Sequence, residues 1–269
     1  MAYDRKVERA HPELIMMVLD DSGSMSLNMP GGSDTRAQWV ERYAGIILKE
    51  LLARSTEMQG DQPVVKARYF LDVIMYGSQP KVWNNNAEEL DIGVAVQKFS
   101  DQGHTFGLGG NLGGTDAEAA FNVALQKVQA ALPKANFKDS FPPMIFHLTD
   151  GESATNAEAI AQKLQGLSTS DGNILVVNAY IGTSTSLNYK DPNDFPGYVD
   201  EQDVGGNPDN LRLFRMSSVM PDTIRENLIA DGIFPAIRAN ARLFFDVRTR
   251  DMLKHVIQVV GSGGSRQQK

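Results

Sequence analysis

Three oxygen-bearing side chains lie close together in the sequence, directly after an apolar segment. Asp20, Ser22 and Ser24 follow the apolar residues 14–19, and Gly23 separates the two serines. The apolar segment is short and uninterrupted, which is typical of a fully buried strand rather than a helix. Several small oxygen ligands on one tight loop are what a hard divalent cation requires.

Two later segments carry the same oxygen chemistry. Thr115 follows two glycines and precedes a predicted helix over 117–132, and Asp150 follows a predicted buried strand over 144–148. Taken alone, Thr115 is most simply explained as a helix N-cap, and Asp150 as part of a turn. Taken together, the two strands that end in carboxylates should lie side by side. This arrangement brings the two carboxylates to the edge of the sheet where ligands bind, beyond the carboxyl ends of parallel strands.

The order of the three segments, D-x-S-x-S, then an isolated threonine, then T-D-G, resembles the von Willebrand factor A (vWA) family over roughly residues 10–260. The resemblance implies a complete metal-ion-dependent adhesion site (MIDAS). It implies an ion that is most often Mg²⁺, with Mn²⁺ or Ca²⁺ as alternatives. It also implies that a carboxylate from another protein takes a coordination position left to water. The implied metal ligands are Asp20, Ser22, Ser24, Thr115 and Asp150.

The alternation of apolar segments with helical periodicity predicts an α/β protein. We expect the three-layer Rossmann-like vWA fold, with a mostly parallel central sheet, one antiparallel edge strand and helices on both faces. Residues 64–76 and 81–83, joined by a turn, should form that edge. A long helix is expected over 35–57, and a strand is the interpretation given to 211–216.

One vWA domain over 10–260 is expected, with loop insertions near 84–114 and 183–210 and a flexible tail at 261–269. The second insertion is acidic. Its role is open between a solvated loop and a lid that shapes the choice of partner. Its acidic residues are Asp191, Asp194, Asp200, Glu201, Asp203 and Asp209, against the single base Lys190.

Bulk composition restricts the classes of function. The net charge of −7 argues against nucleic acid as a partner, because phosphate binding requires a basic surface. The chain has no cysteine, which excludes disulfides and thiol catalysis and fits a cytoplasmic location. Apolar runs no longer than a strand and the lack of a signal-like segment predict neither a membrane span nor export.

Catalysis is not the expected function. A phosphatase of the haloacid dehalogenase type needs D-x-D, and Ser22 stands at the second acidic position. His147 lies within a predicted strand and His104 in a glycine-rich loop, so no nucleophile–base pair is evident. No phosphate-binding G-x-x-x-x-G-K-[ST] motif is present. A Mg²⁺-dependent hydrolase and a structural subunit with a stabilising metal remain as alternatives.

Within the vWA family, the chain is similar to cytoplasmic bacterial members of the tellurium-resistance and stress type. Residues 18–25, residues 213–218, Pro221 and the early start of the domain carry this narrower resemblance. It implies a partner such as a protein kinase, phosphatase or ATPase. The sequence is therefore interpreted as a non-enzymatic adaptor that binds a protein partner through a divalent cation, in a bacterial stress or signalling system.

Overall fold

The protein is described by a computed structural model that covers residues 3–29, 32–85, 88–182 and 185–260. The predicted tail at 261–269 lies outside the described residues. The strands and helices, in chain order, are β1 Glu13–Asp20, α1 Arg36–Ser55, β2 Thr56–Gln59, β3 Gln62–Val65, β4 Tyr69–Tyr76, β5 Pro80–Val82, β6 Leu90–Asp91, α2 Ile92–Asp101, α3 Ala117–Ala131, β7 Met144–Thr149, α4 Glu158–Gln165, β8 Ser168–Thr169, β9 Gly172–Asn173, β10 Leu175–Tyr180, α5 Glu201–Val204, α6 Pro208–Met216, α7 Asp222–Ala230, β11 Phe244–Asp246 and α8 Arg250–Val259.

The central sheet confirms the predicted fold class. Its strand order is β11-β10-β7-β1-β4-β5, and the short β6 also pairs with β4. All pairings among β1, β4, β7, β10 and β11 are parallel, whereas β5 and β6 run antiparallel to β4 at the edge. Helices cover both faces, with α1 and α3 each in contact with β1.

β1 lies in the middle of the sheet because its residues can be buried on both sides. All eight residues of β1 are buried, as its unbroken apolar sequence predicts. Asp20 pairs in register with Tyr76 of β4, and Leu19 pairs with Leu148 of β7. The carboxyl ends of β1, β4 and β7 therefore meet at one edge of the sheet.

One local prediction is confirmed with a shorter end, and one is wrong. The helix expected over 35–57 is α1, which ends at Ser55, and the chain continues as the β2–β3 hairpin, which turns at residues 60–61. Residues 211–216, interpreted as a strand, belong to helix α6. Pro208 in the first turn and the Asn207 side chain, which accepts from the backbone of Asp209 and Asn210, begin that helix.

The acidic insertion is folded and attached to the edge of the sheet in its described part, 185–210. It contains a 3₁₀ turn, α5 and the start of α6. Thr185 and Tyr189 donate to the buried Asp246 at 2.7 and 2.9 Å. Acidic residues of the insertion pair with Arg238 and Arg215, so the segment is more ordered than the solvated-loop interpretation implied.

Within the described ranges, no helix is long and apolar enough to cross a bilayer.

Candidate metal centre

Two buried carboxylates lie at the ends of adjacent strands. Asp20 ends β1 and is fully buried, and Asp150 follows β7 and is 6% exposed. The Asp20 carboxylate is fixed in orientation: Oδ1 accepts from the Ser22 backbone at 2.9 Å, and Oδ2 accepts from the Thr149 hydroxyl at 2.7 Å. The parallel pairing of β1 with β7 therefore produces the juxtaposition that the sequence predicts.

Two serine hydroxyls converge beside Asp20. Ser22 Oγ lies 3.2 Å from Ser24 Oγ, because a single 3₁₀ turn over Gly23–Ser26 folds the loop back on itself. An octahedral ion with Mg–O distances of about 2.0–2.1 Å holds adjacent ligands about 3 Å apart. The spacing of the two hydroxyls therefore fits neighbouring positions around such an ion.

Backbone hydrogen bonds join the three motif segments. The Gly23 N–H donates to the Gly113 carbonyl at 2.6 Å, which connects the first segment to the second. The Ala154 N–H donates to the Thr115 carbonyl at 3.0 Å, which connects the second segment to the third. The five residues named from the sequence are thus brought to one edge of the sheet by connections of three different loops.

Thr115 is not the N-cap of α3. That position belongs to Asp116, whose Oδ1 accepts from the Ala119 backbone at 3.0 Å and from the Thr155 hydroxyl at 2.9 Å. The simple capping explanation therefore applies to the neighbouring residue. The Thr115 side chain is half-buried.

The donor set favours a hard cation. Among the residues that the structure describes, no group of three or more His, Cys, Asp and Glu side chains is arranged to hold a metal. Two carboxylates and three neutral hydroxyls provide oxygen alone, which suits Mg²⁺ better than a soft transition metal. Burial raises the pKa of Asp20 to about 6, and the neighbouring Asp150 charge adds to this effect. A divalent cation beside these two carboxylates would favour their charged forms.

Three residues at this edge have roles that sequence reasoning missed. Asp21 is 3% exposed. Arg36 Nη1 lies 2.5 Å from Asp150 Oδ2, and Thr149 holds Asp20 as described. The sequence does indicate Thr149, because it directly precedes Asp150 in the T-D-G segment. The contact of Arg36 with Asp150 spans 114 residues, and nothing local in the sequence indicates it.

A buried polar chain runs from the site into the sheet. Tyr76 Oη lies 3.4 Å from Asp20 Oδ2 and 2.7 Å from His147 Nε2, and His147 Nδ1 lies 2.7 Å from Asn178 Oδ1. Because the Asn178 oxygen only accepts, Nδ1 carries the proton and Tyr76 donates to Nε2. Burial lowers the pKa of His147 to about 4, so the ring is neutral with both nitrogens occupied.

The other histidine considered from the sequence is exposed. His104 adopts a positive φ of 64° in the glycine-rich segment. Its ring packs edge-on against Phe99 at a centroid distance of 5.9 Å.

Comparisons with known proteins support the fold. Neither a family model nor a curated protein sequence matches this chain. The chain is similar to the pilus adhesin SpaC from Lactobacillus rhamnosus GG, with 13% identity, 96% of this chain and 31% of that chain covered, and a TM-score of 0.55. It is also similar to proximal thread matrix protein 1 (PTMP1) from the mussel byssus, with 12% identity, coverage of 95% and 49%, and a TM-score of 0.51.

PTMP1 has also been solved with a zinc-occupied MIDAS motif. A von Willebrand factor type A structure from Catenulispora acidiphila aligns with 15% identity over 67% of this chain and 39% of that chain, at a TM-score of 0.38. The chain thus spans half or less of these three structures. At such identities the likeness concerns the fold alone. Together with the strand order, the likeness to SpaC and PTMP1 supports a mixed α/β fold with a mostly parallel central sheet.

Proposed function

We propose that this chain is a metal-dependent protein-interaction module. It holds a divalent cation, most favourably Mg²⁺, through a complete MIDAS, and this ion accepts an acidic side chain of a protein partner. The observation that carries the proposal is the convergence of three hydrogen-bonded loops, with two serine hydroxyls 3.2 Å apart beside the buried Asp20. The ligand set is Asp20, Ser22, Ser24, Thr115 and Asp150.

The chemistry of these ligands favours binding over hydrolysis. Three of the five are neutral hydroxyls, so if Asp20 and Asp150 bind a divalent ion partly through water, the ion retains positive charge toward solvent and attracts a carboxylate. Hydrolysis would also need a base to activate the water on such an ion. Both nitrogens of the buried His147 are already hydrogen-bonded, so that residue does not serve as the base. We therefore propose an adaptor without catalytic turnover.

The setting that we propose is a bacterial cytoplasmic stress or signalling system, with a protein kinase, phosphatase or ATPase as partner. The resemblance of residues 18–25 and 213–218 to tellurium-resistance proteins supports this narrower form. The fold neighbour SpaC is a pilus adhesin, which supports the broader form, a protein-interaction role.

Calorimetric titration with Mg²⁺, Mn²⁺, Ca²⁺ and Zn²⁺ tests the metal site directly. Zinc belongs in the series because it occupies the MIDAS motif of PTMP1. Asp20→Ala and Asp150→Ala should each abolish binding, because each removes a charged ligand. Glu152→Ala is the matched control, since it removes the same charge from an exposed position two residues beyond Asp150. Undiminished binding in both ligand variants would overturn the assignment.

Affinity capture tests the interaction. Wild-type protein should retain a partner in Mg²⁺ and lose it in EDTA, and Asp20→Ala should fail to retain it in either condition. Glu152→Ala should behave as wild type. A partner retained equally by wild type and Asp20→Ala in EDTA would mean that binding does not use the metal.

A further inference from the structure

A guanidinium occupies one of the oxygens that the proposed metal site needs. Arg36 Nη1 lies 2.5 Å from Asp150 Oδ2, and the Asp150 side chain is 1% exposed against 23% for Arg36. The bond is short and charge-assisted, which places it among the stronger hydrogen bonds in proteins. Among the residues that the structure describes, Asp150 Oδ1 has only a long contact of 3.4 Å, with the Glu152 N–H. Arg36 is therefore the main partner of the Asp150 carboxylate.

The backbone holds Arg36 in this position. It is the first residue of α1, and the preceding Thr35 forms a capping box with Gln38. The Arg36 N–H donates to the Leu27 carbonyl at 2.9 Å. Leu27 ends the 3₁₀ turn that carries Ser24, so the start of α1 is attached to the D-x-S-x-S loop itself. The guanidinium is thus placed by the same loop that supplies the hydroxyl ligands.

A guanidinium and a divalent cation at this place oppose each other in two ways. They compete for the same carboxylate oxygen, and their like charges repel across a few ångströms of a largely buried site. Metal binding must therefore displace Arg36 from Asp150 or accept its repulsion. Either route weakens the affinity for the ion.

We propose that Arg36 is a built-in competitor of the metal, which neutralises Asp150 in the metal-free protein and sets the cation concentration at which the site fills. This inference rests on the proposed metal site and concerns only its affinity. Arg36 is a residue that tunes the site through Asp150 and is not itself a metal ligand.

Calorimetric titration with Mg²⁺ tests the competition. Arg36→Gln should tighten Mg²⁺ binding about tenfold, which corresponds to about 1.4 kcal/mol. Arg36→Lys keeps the charge but loses the planar fork, so its affinity should lie between those of wild type and Arg36→Gln. Arg42→Gln is the matched control. It lies on the same helix and pairs with the exposed side of Asp34 at 3.0 Å, so its affinity for Mg²⁺ should equal that of wild type.

Thermal unfolding separates competition from a purely structural role. Without metal, Arg36→Gln should melt below wild type, because it leaves the buried Asp150 carboxylate without its cationic partner. With saturating Mg²⁺, the same variant should show a larger increase in Tm than wild type, because its tighter binding stabilises the folded state more. A structural role alone predicts the lower Tm without the larger increase.

The outcomes distinguish this inference from the function on which it rests. Equal or weaker Mg²⁺ binding by both Arg36 variants, with wild type binding normally, overturns the competitor role and leaves the metal site standing. No binding by wild type or by any variant overturns both proposals.

Discussion

Two carboxylates hold the glycine-rich segment that leads to Thr115, and they do so with different geometry. Asp21 uses one oxygen: its Oδ1 accepts from the backbone of Gly109 and of Gly110 at 2.7 and 2.6 Å. Glu41 of α1 uses both oxygens. Its Oε1 accepts from the Phe106 N–H at 2.5 Å, and its Oε2 accepts from the Leu108 N–H at 2.8 Å.

This difference predicts losses of stability of different size for the same chemical change, from carboxylate to amide. Asp21→Asn can keep its single oxygen toward both N–H groups, so only the charge assistance is lost, at a cost of about 1 kcal/mol of unfolding free energy. Glu41→Gln must direct its NH₂ group at one of the two backbone donors. One partly buried N–H then has no acceptor and faces another donor, which costs about 2–3 kcal/mol.

Urea unfolding at neutral pH measures both variants against wild type, and Mg²⁺ titration provides a second measurement. Glu41→Gln should unfold at a clearly lower urea concentration than Asp21→Asn. The slope of the unfolding free energy against urea concentration should be unchanged from wild type. Because Glu41→Gln displaces the segment that precedes Thr115, the Mg²⁺ affinity of this variant should also fall. Equal destabilisation by the two amides would show that charge, rather than the direction of the acceptors, holds this segment.

Two further predictions concern stability. Burial raises the pKa of Glu13 to about 8, and neither carboxyl oxygen has a hydrogen-bond partner among the described residues. The unfolded chain loses this proton near pH 4.5, whereas the folded protein keeps it up to about pH 8. The free energy of unfolding therefore falls between pH 4.5 and 8, and at pH 7 it is about 3 kcal/mol lower than below pH 4.5. In unfolding measurements at pH 5 to 8, the stability of Glu13→Gln relative to wild type should increase as the pH rises, whereas that of the exposed control Glu118→Gln should not. A stability difference between Glu13→Gln and wild type that stays constant with pH would refute the buried proton. Gly77→Ala should lower Tm and Mg²⁺ affinity, since a Cβ there would lie 2.3 Å from the Leu112 carbonyl oxygen. In Gly206→Ala the added Cβ has nothing within 4 Å, so this control should change neither Tm nor Mg²⁺ affinity. A Gly77→Ala variant with the Tm and Mg²⁺ affinity of wild type would contradict the close approach.

The central sheet is predictable because its strands have a local signature. β1 is apolar over residues 14–19 and ends at Asp20, and β7 is mostly apolar and is followed by Asp150; such segments are stable only when both faces are covered. Their pairing follows from that requirement and from the short connections of α/β folds. Helix α6 was missed because Leu213, Phe214 and Met216 have strand-like composition. The signal that decides its structure lies upstream, in Asn207 and Pro208.

The candidate site likewise has residues that the sequence indicates and residues that it does not. The proposed ligands could be named from the sequence because they stand next to the ends of elements that the sequence predicts. The groups that hold or oppose those ligands were not visible, since they come from distant parts of the chain. Glu41 reaches its backbone partners across 65 residues, and Arg36 reaches Asp150 across 114 residues. Such contacts are fixed by tertiary packing and leave no local pattern.

The charge of the protein explains why an acidic partner would need the metal. The chain carries a net charge of −7, so its surface repels acidic ligands in general. At the site, the carboxylates of Asp20 and Asp150 outnumber the single guanidinium of Arg36, so the metal-free edge is also negative. A divalent cation reverses that sign locally and leaves the rest of the surface unchanged. An acidic side chain would therefore be attracted at one place only, and only after the ion has bound. On this account EDTA removes partner binding without unfolding the domain, because the ion completes the charge of the edge and not the core beneath it.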